Sequence, residues 1–160
     1  MSLSPYRSLP VERRIDLVTR AISGSKENRA VFVQRIVSRP GGFRAVTVKT
    51  WSPDKLAREV VRLHVETPQD ELDLLQLLYV ELEPAIQITF FDAAGVKHEK
   101  GQIGEGQQPP FTDADGVRRG ALTVKEKHGE DGMRYLRTLV RYNLAWWPGL
   151  DALVEELSPG

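Results

Sequence analysis

Cysteine is absent from the 160 residues. Its absence excludes disulfides, thiol catalysis, and thiolate-held zinc or iron–sulfur centres. It also fits a reducing compartment, so a cytoplasmic location is the expectation. Net charge is lacking too, because 22 Lys and Arg balance 22 Asp and Glu. Nucleic-acid binders and anionic membrane surfaces draw affinity from a basic excess, so neutrality argues against both as partners. No apolar run approaches the roughly 18 residues of a membrane span. The opening stretch "MSLSPYRSLP" has no apolar segment of the kind a secretory signal carries.

Histidine is scarce. His64, His98 and His128 are the three present, and none falls in an H-x-x-x-H or H-E-x-x-H pattern. A phosphate-cradling loop is also missing. "GQIGEGQ" has the glycines but neither the Lys-Ser/Thr pair nor a following helix start. Two S-x-x-K tetrads, Ser23–Lys26 and Ser52–Lys55, lack the supporting elements of serine acyl chemistry, and Ser52 reads more simply as a helix cap. No cofactor is expected.

What remains is an ordinary globular composition, 41% apolar and 28% charged, in a chain of single-domain length. Residues 1–9 read as a flexible lead-in and 10–158 as a single globular domain. Helix signals are clear at several points. Val11, Ile15, Val18 and Ile22 recur at helical spacing behind Pro10. Ser52-Pro53 begins a second helix, with Leu56, Val60 and Leu63 as its stripe. Thr67-Pro68-Gln69-Asp70 resembles a capping box and opens a leucine-rich helix running to Pro84. Residues 150–157 form a short last helix.

Other segments favour strands. β-branched and aromatic runs flank Arg39-Pro40-Gly41-Gly42, which predicts a β-hairpin, against a competing helix over 27–38. Ile86–Phe91 and "ALTVKEK" read as further strands, separated by a long polar loop rich in Gly, Gln and Pro. Residues 133–142 fit a helix better than a strand, because neither alternate face is clean. The expected fold is therefore α+β: one domain with helices packed on a mostly antiparallel sheet and helical at both ends.

Two stretches carry chemistry. "DADGV", from Asp113, looks like a phosphotransferase nucleophile loop, but "GQQPPFT" before it does not make a buried strand. Read as an EF-hand it has Val117 at position five and Val124 at position twelve, so it fails there too. Asp113 and Asp115 stay as candidate metal ligands beside the plain reading, an Asp-Gly turn. Arg134, Arg137 and Arg141, with Trp146 and Trp147, are the candidate binding residues, since Arg forks and aromatic faces suit carboxylates, phosphates and protein hot spots. The leading functional expectation is a non-enzymatic protein-interaction or ligand-binding module, working with a protein partner or with itself. The alternatives are a divalent-metal enzyme or small-molecule binder using acidic residues of 92–115, and a single-stranded nucleic-acid binder using 134–147.

Overall fold

In the computed structural model, residues 4–158 are described, and no strand occurs among them. The helices are α1 (Val11–Gly24), α2 (Lys26–Val37), α3 (Ala45–Val48), α4 (Pro53–Leu63), α5 (Pro68–Gln76), α6 (Ala85–Ala94), α7 (Ala114–Asn143) and α8 (Leu150–Leu157). A π-helical segment covers Leu77–Leu82, and a 3-10 turn covers Leu144–Trp146. The chain divides into two compact units, the first ending at Leu75 and the second beginning at Gln76.

The α+β expectation is thus overturned: the fold is all-helical. Each predicted strand is a helix, and side-chain partners explain why. In "AVFVQRIV" Phe32, Val33 and Ile36 lie on one buried face of α2, and the Ser25 hydroxyl caps the helix by accepting from Asn28 N–H. Arg39-Pro40-Gly41-Gly42 is the exit from that helix rather than a hairpin turn. In "AIQITFFDAA" Ile86, Phe90, Phe91 and Ala94 are buried at i, i+4, i+5 and i+8 spacing in α6, the most apolar helix of the second unit. "ALTVKEK" lies inside α7, where Val117, Ala121 and Val124 form the inward face. β-branched residues favour strands only weakly, and burial of one helical face overrides the preference.

The first unit is built on α1, α2 and α4, with Ile15, Val18, Ile36, Leu56 and Val60 in its core. Pro10 precedes α1 and Ser52 caps α4 through Lys55 N–H. At α5 the capping box forms in full. Asp70 N–H donates to Thr67 Oγ1 at 3.1 Å, and Thr67 N–H donates to Asp70 Oδ2 at 2.9 Å. Of the lead-in, residues 4–9 are packed, with Tyr6 and Leu9 buried; residues 1–3 lie outside the described residues. Tyr6 Oη donates to Glu66 Oε2 at 2.5 Å, and Ser4 Oγ to Glu71 Oε1 at 2.5 Å. Arg7 bridges the same carboxylates at 3.6 Å each and donates to His64 Nδ1 at 2.7 Å.

The second unit packs α6 and α8 on α7. Gly120 allows the closest approach: a Cβ there would sit 2.8 Å from the Phe90 ring. An aromatic cluster fills the core. Trp147 stacks on Phe91 at 5.8 Å and meets Phe90 edge-on at 5.0 Å, while Tyr79 and Tyr135 meet edge-on at 5.1 Å. The long helix α7 is broken at Gly129, whose φ of 56° and ψ of −132° only glycine adopts without strain. No single helix among the described residues is long and apolar enough to cross a membrane.

Candidate functional site

The binding residues expected from sequence do not share one surface. Arg134, Arg137 and Arg141 lie near one azimuth of α7, but at different depths. Arg134 is buried and donates to Asp131 Oδ1 at 2.7 Å. Arg137 is half-buried and donates to Glu130 Oε1 at 2.8 Å. Arg141 is exposed, its guanidinium 5.9 Å from the Tyr142 ring. The two tryptophans split likewise. Trp147 is a core residue, and its buried indole N–H has no acceptor. Trp146 is 41% exposed and rests edge-on against Phe111, with Leu144 exposed beside it. The end of α7 therefore presents Arg141, Leu144 and Trp146 to solvent, while Arg134 and Trp147 are buried and Arg137 lies between, paired with exposed Glu130.

Asp113 and Asp115 fall at the start of the same helix. Asp113 is its N-cap, with Oδ1 accepting from Gly116 N–H at 2.8 Å. Asp115 is exposed in the first turn, where a carboxylate complements the helix dipole. Arg118, just beyond, pairs with Glu156 at 3.3 Å. Among the described residues no group of three or more His, Asp or Glu could hold a metal ion.

A concavity lies elsewhere, in the segment between α6 and α7. Residues 97–107 enclose an open cleft of about 530 Å³, within the range of small-ligand sites. Asp113 and Asp115 are not part of its lining, whereas Glu99 and Glu105 are. Gly101 anchors the segment on both sides. Its carbonyl accepts from Gln87 Nε2 at 2.6 Å, and its N–H donates to His98 Nδ1 at 2.9 Å. Gln87 in turn accepts from the buried Tyr135 hydroxyl at 3.1 Å, so the anchor reaches the core. Gly101 has φ of +86°, and a Cβ there would press on Ile88 at 3.2 Å. Because His98 Nδ1 accepts, its Nε2 carries the proton and donates to Asp92 Oδ1 at 2.6 Å. Both ring nitrogens are engaged, which leaves His98 no free lone pair for general-base work.

Sequence reasoning offered 92–115 as an alternative small-molecule-binding segment but named Asp113 and Asp115 there, and neither lines this cleft. Its only local signal is the run of Lys97, Glu99, Lys100 and Glu105 in a glycine-rich loop. The side chain that anchors it, Gln87, lies in the preceding helix and is held by Tyr135 of α7. Comparisons with protein-family models, curated proteins and solved structures find no match for this chain.

Proposed function

We propose that this chain is a non-enzymatic interaction module that pairs with a second copy of itself through the end of α7. The observation that carries this reading is Trp146, a large aromatic left 41% exposed beside an aromatic core that buries Trp147. Trp and Arg are the side chains that most often dominate interface energy. Arg141 and Trp146, both exposed near the end of α7, supply a cation and a ring, the two halves of a cation–π pair. A two-fold contact sets each residue of one copy against its complement on the other, so this end of α7 is chemically self-complementary. Leu144 adds apolar area between them in sequence. The non-enzymatic part is supported by the engaged nitrogens of His98 and by the capping role of Asp113.

Sedimentation equilibrium over a wide range of protein concentration tests the reading. The mass should rise from the 18.0 kDa of one chain toward twice that value. Trp146→Glu and Arg141→Glu should each weaken association by about tenfold or more, with circular dichroism unchanged. A wild-type protein that stays at the monomer mass at the highest concentration would overturn it.

A further inference from the structure

The cleft at residues 97–107 uses residues quite separate from the end of α7. Four ionic side chains line it, Lys97 and Lys100 of one sign and Glu99 and Glu105 of the other. None of the four makes an ion pair within the described residues, although opposite charges alternate along this short segment. The backbone that carries them is held in place. Glu99 and Gln102 exchange N–H···O bonds of 2.9 and 3.0 Å, and Gln107 Nε2 donates to Lys97 O at 2.9 Å across the neck. Together with the Gly101 anchor, these bonds hold the backbone of this segment, so the ordering cost of binding falls mainly on the exposed side chains.

We propose that this cleft binds a small zwitterion of amino-acid to dipeptide size, its carboxylate taken by Lys97 and Lys100 and its ammonium by Glu99 and Glu105. The charge pattern selects this class. An anion without a positive group would meet the lysines but be repelled by two carboxylates, and a simple cation would meet the reverse. A ligand with both signs gains from the lysines and from the glutamates at once. Half-buried Ile103, also in the lining, supplies apolar surface for one aliphatic side chain. The charges are at the surface, so each contact is modest and screened by salt.

Titration of the intact isotope-labelled protein with alanyl-leucine, followed by amide chemical shifts, tests the assignment. Shifts should concentrate in residues 97–107, with a Kd of about 0.1–1 mM that weakens as salt is added. N-acetylated or C-amidated alanyl-leucine should bind about tenfold more weakly, each lacking one charge-assisted contact. The double variant Glu99→Gln/Glu105→Gln should weaken the free dipeptide while tightening the acetylated form, which no longer meets two like charges, and this separates ammonium recognition from a general loss of structure. No shift in residues 97–107 at about 10 mM dipeptide, some tenfold above the weakest expected Kd, would overturn the proposal, as would equal binding of the capped and free forms. Neither result depends on whether the chain self-associates.

Discussion

Single atoms decide much of the second unit. Gly120 is the clearest case, because α6 and α7 meet where it has no side chain. A Cβ would lie 2.8 Å from two carbons of the Phe90 ring and 3.0 Å from the Phe90 carbonyl oxygen. The ring is fully buried between Trp147, Phe91 and Tyr135, so it has nowhere to move. Gly120→Ala should therefore destabilise the protein by about 1–3 kcal/mol, despite the higher helix propensity of alanine. The midpoint of urea unfolding would show it, and an unchanged or raised midpoint would contradict the close packing described. The same density explains the two neighbouring tryptophans. One residue of register separates a core position from a solvent-facing one, and nothing in "AWWP" marks which is which.

At the scale of elements, side-chain caps open four of the eight α-helices among the described residues. Ser25, Ser52, Thr67 with Asp70, and Asp113 each satisfy a backbone N–H that the helix leaves open. Asp113 offers a test that separates capping from metal binding. Asp113→Ala should cost about 1 kcal/mol, while Asp113→Asn should keep most of the stability because an amide oxygen caps as well. Thermal melts of both variants with and without magnesium or calcium would measure it. Metal-dependent stabilisation of the wild type, lost in Asp113→Asn, would instead restore the metal reading of this carboxylate. The caps at Ser52 and at Thr67 with Asp70, together with Pro53 and the stripe of Leu56 and Val60, were legible in the sequence because each is a local interaction, whereas Ser25 read as part of a breaker and Asp113 as a turn. The helical state of 26–37 and 86–94 was not. Their Val, Ile, Thr and Phe content suits a pleated surface equally well, and only the helices packed against them settle the matter.

For the whole molecule, two buried phenols, Tyr6 in the first unit and Tyr135 in the second, should act on stability in alkali. Burial raises the pKa of Tyr6 above its ordinary value near 10, and Glu66 beside it raises it further, against smaller opposing effects of Arg14 and Arg7. Burial likewise pushes Tyr135 up, with Tyr79 adding to the effect. Both groups keep their proton in the folded state at a pH where the unfolded chain has released it. Their contribution is complete below about pH 10 and is lost progressively as pH rises beyond it. Urea midpoints measured from about pH 8 to 11 should thus fall steeply only in the upper part of that range. Tyr6→Phe should be less stable at neutral pH, because Glu66 loses its phenolic donor, and should show a shallower alkaline decline. A flat profile in the wild type would contradict the burial of both phenols.

The sequence by itself determined the absence of thiol chemistry, the balanced charge, and where several helices begin. Those properties depend on composition or on residues within one turn of each other. Tertiary structure decided that the chain has helices where alternation suggested strands, because burying one face outweighs weak intrinsic preferences. It decided which arginines serve the interior and which face solvent, because three residues at helical spacing differ only in what packs over them. It also placed the segment of residues 97–107, which Gln87 of α6 anchors at Gly101 and which Tyr135 of α7 supports through its bond to Gln87.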